Sequence, residues 1–267
     1  MVEFAVLKPY FHPLQIYFHL LKFCLLASHE SKNISQEHLL AFYKTFDEIK
    51  ENRYDGLIIT GAPVERLEFE DVDYWQEMEK ILEWSKRHVF SSFFICWASQ
   101  AALYHFYGIK KYELKEKLTG VYCHHTNVEK MKRKILRGFD YQFYAPHSRY
   151  TTIKREDIEL IDNLDILASS NEAGVYLIAE KDGSRFFVTG HPEYDPDTLD
   201  KEYRRDLAIS NDATMPKNYY ENDDINGEIL VKWRSHAYLL FSNWLNYYVY
   251  QLTPYDLDDL EEIKKNQ

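Results

Sequence analysis

Cys96 lies where a short buried strand is predicted to give way to a helix, a position suited to nucleophilic chemistry. Residues 93–95 are an apolar run too short for a helix, whereas residues 98–103 are small and helix-compatible. A sharp strand-to-helix turn exposes a nucleophile, and a helix N-terminus stabilises an anion such as a thiolate. The alternative is a structural role, because free cysteines are among the most buried side chains.

His191 and Glu193 form a second candidate, shortly after the apolar residues 185–188. In extended backbone, side chains two residues apart point to the same side, and Pro192 fixes the backbone between them. A thiol needs a base, and an imidazole base needs a partner that holds its tautomer, which a carboxylate supplies. Taken alone, the two residues fit a solvated loop better than a catalytic pair.

The predicted strands explain how these groups can meet. Three apolar segments end next to Gly61, Cys96 and His191, and residues 73–87 have the apolar spacing of an amphipathic helix between the first two. Alternating strands and helices imply right-handed crossovers and a parallel sheet, whose strand ends share one edge. We therefore expect the Gly61 loop, the thiol and the imidazole to converge into a Cys-His-Glu site.

Other segments are less distinctive. Helical spacing is present in residues 35–46, 197–207 and 232–250, and strand-like apolar runs lie at residues 164–168 and 174–179. Residues 109–143 suggest short strands and loops. Residues 144–150 have a loop composition, with polar side chains able to reach a ligand.

Composition narrows the function. A chain of 267 residues, 45% of them hydrophobic, can bury the core of one α/β domain. The net charge of −11 argues against broad nucleic-acid binding. No apolar run approaches the about 20 residues of a membrane helix, and the start lacks a secretory signal layout. Three cysteines without a C-x-x-C pair suit a reducing cytoplasm.

Two competing kinds of site are disfavoured. Cys123, His124 and His125 suggest a metal, but adjacent histidines on a strand point to opposite faces, and no further ligands follow at a typical spacing. Gly61 stands alone in its loop, so the glycine-rich phosphate-binding patterns are missing. The sequence therefore predicts neither a metal site nor a nucleotide-binding loop.

A series of motifs carries a family resemblance. They are residues 55–63, 95–97 with 100–102, 116–118, 145–150, 188–195, 233–236 and 241–255. In this order they closely resemble the homoserine O-acyltransferases of methionine biosynthesis, over residues 27–257. The resemblance implies an α/β fold with a doubly wound, mostly parallel sheet, like that of class I glutamine amidotransferases (flavodoxin-like). The chain 1–267 is then one acyltransferase domain.

The resemblance also implies a mechanism. Cys96 accepts an acyl group from acyl-CoA as a thioester, His191 acts as general base, and Glu193 orients the imidazole. The hydroxyl of L-homoserine then attacks the thioester in a ping-pong cycle. The backbone N–H of Trp97 contributes to the oxyanion hole. Acetyl-CoA is a co-substrate, and no resident cofactor or metal is implied.

Further positions match the family individually. Lys117, Ser148 and Arg205 match residues that hold the amino-acid substrate, with Arg205 as a carboxylate clamp. Glu65 matches a position read for donor choice, where members with Glu look like acetyl-CoA users and members with Gly like succinyl-CoA users. A carboxylate there repels the distal carboxylate of succinyl-CoA. The alternative for Glu65 is an ordinary solvated loop residue.

The resemblance fails at the start of the chain. Nothing in residues 1–26 matches the family's first strand and its oxyanion-assisting lysine, so we expect that strand to be missing; Lys8 and Lys22 are possible substitutes. Four other readings stay open: transfer to L-serine in cysteine biosynthesis, succinyl-CoA as donor, a glutamine amidotransferase, and an inactive homologue. A homodimer is a further possibility, since the aromatic C-terminal helix could be core or interface.

Overall fold

The computed structural model describes residues 3–10, 18–25, 43–210 and 213–251, and within them ten strands form one mixed sheet. The strands are β1 (Glu3–Tyr10), β2 (Phe18–Leu25), β3 (Tyr43–Thr45), β4 (Tyr54–Ile59), β5 (Val89–Ile95), β6 (Tyr112–Thr126), β7 (Gln142–Thr152), β8 (Leu164–Ser170), β9 (Gly174–Glu180) and β10 (Arg185–Val188). Their order across the sheet is β3-β2-β1-β4-β5-β10-β9-β8-β6-β7. The strands that precede the candidate residues, β4, β5 and β10, are therefore neighbours at its centre.

Helices cover both faces of this sheet. They are α1 (Phe46–Ile49), α2 (Trp75–His88), α3 (Trp97–Tyr107), α4 (Arg155–Glu159), α5 (Thr198–Ile209) and α6 (Arg234–Trp244), and a π-helical segment, Leu245–Tyr250, continues α6. None of the helices in the described part of the chain is long and apolar enough to span a bilayer.

The sheet contains both parallel and antiparallel pairs, and β1 is antiparallel to both of its neighbours, β2 and β4. The pairs β4–β5 and β5–β10 are parallel, as is β2–β3, whereas the run from β10 through β9, β8 and β6 to β7 is antiparallel throughout. The predicted α/β class is confirmed, but the sheet is mixed, with parallel pairing concentrated where the site lies. Connection length explains the difference, because the three-residue turn between β8 and β9 can only join antiparallel neighbours.

The two faces of the sheet have separate hydrophobic cores. On one face, Met78 and Leu82 of α2 and Ala101 of α3 pack with strand residues such as Phe94. On the other face, Trp244 packs with its own set of strand residues. The indole N–H of Trp244 donates to Ser91 Oγ at 2.9 Å, which satisfies its one polar atom in the core. These cores hold β5 rigidly from both sides, as a doubly wound sheet requires.

Several predicted elements differ from the structure. The predicted loop 144–150 lies inside β7, and the region after Gly108 contains a single 15-residue strand, β6, rather than only short pieces. The polar side chains in both segments suggested loops, because the residues with which they form hydrogen bonds are distant in sequence. Tyr43, expected in a helix, lies in β3; the rest of the predicted helix before it lies outside the described residues.

Candidate active site

Cys96 occupies a sharp turn between β5 and α3. Its backbone has φ 52° and ψ −116°, a left-handed conformation that is rare for a residue with a side chain and costs about 1–3 kcal/mol. The Cys96 N–H donates to the carbonyl of Val188 at 2.7 Å, which ties the turn to the end of β10. The thiol is therefore held at the N-terminus of α3 and at the edge shared by the parallel strands.

Gly61 lets the loop after β4 approach this turn closely. A Cβ atom at Gly61 would lie 3.2 Å from Cys96 Cβ and 3.3 Å from the backbone nitrogen of Trp97. Such contacts are tighter than side chains normally make, so a residue without a side chain suits this position. The N–H of Trp97 is in the first turn of α3, where helical N–H groups have no intrahelical partner. It is free to serve an oxyanion next to the thiol.

His191 and Glu193 complete the constellation. His191 Nδ1 donates to Glu193 Oε1 at 2.7 Å, and the imidazole also shares a side-chain hydrogen bond with Cys96. Burial alone would lower the pKa of His191, but the neighbouring Cys96 and Glu193, as anions and hydrogen-bond partners, raise it well above its usual range. The ring of Tyr194 stacks on the imidazole with centroids 4.1 Å apart. The thiol, the imidazole and the carboxylate are thus joined in one hydrogen-bonded series.

A cleft of about 540 Å³ opens above these groups. Its lining residues are Gly61, Ala62, Pro63, Val64, Glu65, Arg66, Leu67, Cys96, Lys117, Ser148, Tyr150, His191, Tyr194, Glu202, Arg205 and Asp206. The structure thus brings Cys96 and His191 together with all the side chains that matched the family's substrate positions. The cleft has room for a small amino acid and the end of a thioester.

Lys117 and Ser148 lie on the β6–β7 pair and are bound to acidic residues of α5. Lys117 Nζ lies 2.7 Å from Asp206 Oδ2 and 3.9 Å from Glu202 Oε2, and its side chain is only 10% exposed. Ser148 Oγ donates to Glu202 Oε2 at 2.5 Å. The cleft wall therefore alternates ammonium, hydroxyl and carboxylate groups, the chemistry that a zwitterionic amino acid needs.

Arg205 lies at the rim of the cleft rather than deep within it. Its Nε and Nη2 atoms donate to Asp206 Oδ1 at 3.1 Å and 2.8 Å, and 61% of its side chain is exposed. The hydrogen bonds to Asp206 raise the pKa of Arg205, so the guanidinium stays charged. A bound carboxylate has to share this cation with Asp206.

Glu65 lies in the loop that closes one end of the cleft, residues 61–67. Lys111 Nζ donates to the backbone carbonyl of Glu65 at 2.7 Å and also to that of Leu67. Arg66 pairs with Glu113 at 2.8 Å and lies over the ring of Tyr150. These contacts fix the backbone of the loop against β6 and β7, and Glu65 is among the residues that line the cleft.

Glu202 and Asp206 were not predicted from the sequence as site residues. They lie four residues apart, and so on one face of α5, and both line the cleft. Their i, i+4 spacing with Arg205 between them was visible in the sequence, but nothing local separated it from an ordinary solvated helix face. Conversely, His124 and His125 point to opposite faces as expected, with His124 buried and His125 exposed.

Comparison with known proteins identifies a family. The sequence profile described as homoserine O-succinyltransferase matches residues 5–255 of the chain. The homoserine O-acetyltransferase of Catenibacterium mitsuokai is 72% identical over 241 residues, which are 90% of this chain and 77% of that protein. The homoserine O-acetyltransferase of Acetivibrio thermocellus is 58% identical over 234 residues, 88% of this chain and 76% of that protein. The match begins at residue 5, inside the segment 1–26, for which the sequence predicted that the family's first strand and its lysine are missing.

Solved structures of low sequence identity share the fold. A glutamine amidotransferase from Thermotoga maritima superposes with a TM-score of 0.54 at 15% identity, covering 83% of this chain and 96% of that one. A glutamine amidotransferase from Methylobacillus flagellatus gives a TM-score of 0.51 at 10% identity, covering 78% and 87%. The predicted glutamine amidotransferase-like fold is confirmed by these likenesses, which bear on the fold alone.

Proposed function

This chain belongs to the homoserine O-succinyltransferase family, and we propose that it transfers an acetyl group from acetyl-CoA to the hydroxyl of L-homoserine, a step of methionine biosynthesis. The observation that carries the proposal is the hydrogen-bonded series Cys96–His191–Glu193 at the floor of a cleft lined by amino-acid-binding groups. Relatives named homoserine O-acetyltransferase supply the acceptor and the donor.

The first half-reaction forms a thioester on Cys96. The thiolate attacks the carbonyl carbon of acetyl-CoA, and the negative charge moves to the carbonyl oxygen, near the N–H of Trp97. The tetrahedral intermediate collapses by breaking the bond to the coenzyme A sulfur. His191, as an imidazolium, gives its proton to that leaving thiolate. The enzyme then carries an acetyl group and a neutral imidazole.

The second half-reaction passes the acetyl group to homoserine. The neutral His191 removes the proton from the substrate hydroxyl as its oxygen attacks the thioester carbonyl. Collapse of this second intermediate breaks the carbon–sulfur bond to Cys96 and releases O-acetylhomoserine. The thiolate and the imidazolium are restored, so one proton is conserved over the cycle. Glu193 holds the Nδ1 proton throughout, which keeps Nε2 directed at the reacting atoms.

The cleft wall recognises the acceptor by charge. We assign the substrate carboxylate to Arg205 and Lys117, and the substrate ammonium to the carboxylates of Glu202 and Asp206. Ser148 sits between the two signs and orients the backbone end of the substrate. L-serine carries the same charges on a side chain shorter by one methylene, so reach toward Cys96 distinguishes the two acceptors.

The charge of Glu65 favours the acetyl donor. A succinyl group ends in a carboxylate, which would meet Glu65 in a cleft partly closed to water, where like charges repel strongly. Glu65→Gly should therefore raise kcat/KM for succinyl-CoA relative to acetyl-CoA by about tenfold or more. Glu68→Gly, an exposed position of the same segment outside the cleft lining, is the matched control and should leave the ratio unchanged.

Intact-mass measurement after mixing with acetyl-CoA tests the proposal directly. The wild-type protein should gain one acetyl group and lose it when L-homoserine is added, whereas Cys96→Ala should gain none. If the wild-type protein gains no acetyl group, the chain is an inactive homologue. If it releases ammonia from glutamine, it is an amidotransferase. A higher kcat/KM for L-serine than for L-homoserine would move the assignment to cysteine biosynthesis.

The setting of the enzyme completes the proposal. Within the described part of the chain, Cys24, Cys96 and Cys123 form no disulfide, which fits the reducing cytoplasm. Acetyl-CoA acts as co-substrate, with no resident cofactor or metal assigned. A homodimer remains a prediction that size-exclusion chromatography with light scattering would test.

A further inference from the structure

Arg149 is a buried cation between Ser148 and Tyr150, two residues that line the cleft. It lies on β7, and the residue is 1% exposed. Its Nη1 donates to the carbonyl of Thr151 at 2.5 Å, its Nη2 to the carbonyl of Ala173 at 2.6 Å, and its Nε to His147 Nδ1 at 3.4 Å. None of the partners described for this guanidinium is a carboxylate. A buried charge without an opposite charge is costly, which calls for an explanation.

Two neutral histidines orient the guanidinium without cancelling its charge. Because Arg149 donates to His147 Nδ1, the proton of His147 is on Nε2, which faces His124 Nε2 at 3.1 Å. His124 must accept there, so its own proton is on Nδ1 and is donated to the carbonyl of Tyr122 at 2.9 Å. Each hydrogen bond in the series then has one donor and one acceptor. Burial lowers the pKa of His147 well below its usual range and that of His124 to about 3, which agrees with two neutral rings.

The same strand supports the catalytic histidine. The N–H of His191 donates to the carbonyl of Pro146 at 2.8 Å, and a Cβ at Gly190 would lie 3.0 Å from His147 Cε1. On the other side, Thr151 Oγ1 donates to Gln100 Oε1 at 2.8 Å, which links the cradle of Arg149 to the helix that begins after Cys96. The strand that carries Arg149 is therefore hydrogen-bonded both to His191 and to α3, the helix that begins after Cys96.

A series of contacts links the guanidinium to Cys96. Arg149 donates to the carbonyl of Thr151, Thr151 Oγ1 donates to Gln100, and the N–H of Gln100 donates to the carbonyl of Cys96 at 3.2 Å. Burial lowers the pKa of Arg149 to about 10, which leaves it charged at neutral pH, while attraction to a Cys96 thiolate works in the opposite direction. The other titratable or charged groups near Cys96 are His191, Glu193 and Tyr194, together with the cleft residues Glu65, Lys117, Glu202, Arg205 and Asp206. Near Arg149 they are Tyr122, His124 and His147.

We propose that Arg149 is a positioning residue whose buried positive charge stabilises the Cys96 thiolate from inside the protein, with His147 and His124 holding its orientation. The inference rests on the proposed function, in which Cys96 is the nucleophile. Because Arg149 is buried, it acts through Cys96 and not by touching substrate. In a medium of low polarity such a charge retains more of its effect than one in water.

The test is the pH dependence with which iodoacetamide alkylates Cys96, followed by mass spectrometry of the peptide that contains it. Only the thiolate reacts, so the midpoint of the profile reports the stability of the thiolate–imidazolium pair. In Arg149→Met we expect the midpoint to move up by about one pH unit, which lowers the alkylation rate below the midpoint about tenfold. Arg149→Lys keeps the charge and should stay within about threefold of the wild type.

Arg133→Met is the matched control. Arg133 also donates to two backbone carbonyls, those of Lys181 and Glu180, but it is paired with Asp165 and does not line the cleft. This variant should leave the Cys96 profile unchanged. If Arg149→Met shows no cooperative unfolding transition, and so is not properly folded, Arg149→Gln is measured in its place. Its amide is neutral but can still donate to a carbonyl.

If the midpoint does not move in a folded Arg149→Met or Arg149→Gln protein, the proposal is overturned. A shift of a full pH unit in Arg149→Lys would also overturn it, because the positive charge would then not be the cause. The assay needs neither acetyl-CoA nor an amino acid. A protein that fails to transfer acetyl groups but shows the expected shift would therefore refute the proposed function and leave the role of Arg149 standing.

Discussion

His191 follows Gly190 in the chain and His147 packs against it, and both rings are buried, yet their surroundings favour opposite charge states. His191 faces Glu193 and Cys96, and its pKa is raised well above the usual range. His147 faces Arg149 and His124, and its pKa is lowered well below that range. The backbone between them is tight, since a Cβ at Gly190 would come within 3.0 Å of the His147 ring.

The two histidines separate the effect of burial on the pKa from the effect of the neighbouring groups. Burial favours the neutral form of both rings, and the outcome differs because anionic partners oppose it at His191 while a cation and a second imidazole reinforce it at His147. A buried histidine in a strand is thus no indication of catalysis by itself. The partner of each ring nitrogen decides whether it moves protons or supports the fold.

Substitution of His191 should produce the largest effect. His191→Asn removes the base and the partner of the thiolate, so we expect kcat/KM for acetyl transfer to fall about 10⁴-fold or more. His147→Asn removes only a support, and the loss should stay below about 10²-fold. Release of coenzyme A, recorded by a thiol reagent, measures both. Equal losses of kcat/KM in the two variants would contradict the assignment of catalysis to His191 and of a structural role to His147.

Glu193→Gln should have the next largest effect. The amide cannot stabilise an imidazolium, so the pKa of His191 should fall and kcat/KM should drop roughly 10²–10⁴-fold. Asp195→Asn, an exposed carboxylate two residues further along, is the control and should change kcat/KM less than twofold. A Glu193→Gln enzyme of nearly wild-type activity would show that the carboxylate is not needed.

Gly190→Ala should disturb both histidines through crowding. The new methyl would lie 2.7 Å from the carbonyl oxygen of Pro146 and 2.9 Å from the Tyr176 ring, and we expect a loss of about 1–3 kcal/mol in the free energy of unfolding. Gly108→Ala is the comparison, because its positive φ of 69° strains the backbone while the methyl meets nothing within 4 Å. Urea unfolding measures both; a smaller loss at Gly190 than at Gly108 would contradict the crowding.

The smallest effect concerns stability against pH. The pKa of His124 is lowered to about 3 by burial, so below about pH 6.5 the unfolded chain binds a proton that the folded protein refuses, and stability falls with falling pH. The raised pKa of His191 works the other way, since its contribution is complete at low pH and is lost as pH rises.

His124→Gln isolates this contribution. Between pH 6 and pH 5 it should remove about 1.4 kcal/mol per pH unit from the slope of unfolding free energy against pH. His125→Gln, at the exposed neighbouring position, should keep the wild-type slope. Indistinguishable slopes for the two variants would show that His124 takes up its proton in the folded protein.

Local patterns predicted the part of the molecule that local physics controls. The apolar runs and helical spacing around Cys96 predicted β5, α2 and α3, and the His191–Glu193 spacing predicted a contact that the structure shows at 2.7 Å. The Arg149–His147–His124 series was not predictable in this way. Its members become partners only when β6 and β7 pair, and such polar residues suggest a loop until their partners are known.

The two faces of β7 have a consequence for the length of that strand. Ser148 and Tyr150 point into the cleft, while His147, Arg149 and Thr151 alternate with them on the buried side. Inserting or deleting one residue just before Ser148 would reverse the parity of everything downstream, burying the hydroxyl and turning the guanidinium toward solvent. Natural relatives should therefore tolerate single-residue gaps more readily at exposed positions of the connection 127–141 than within this strand.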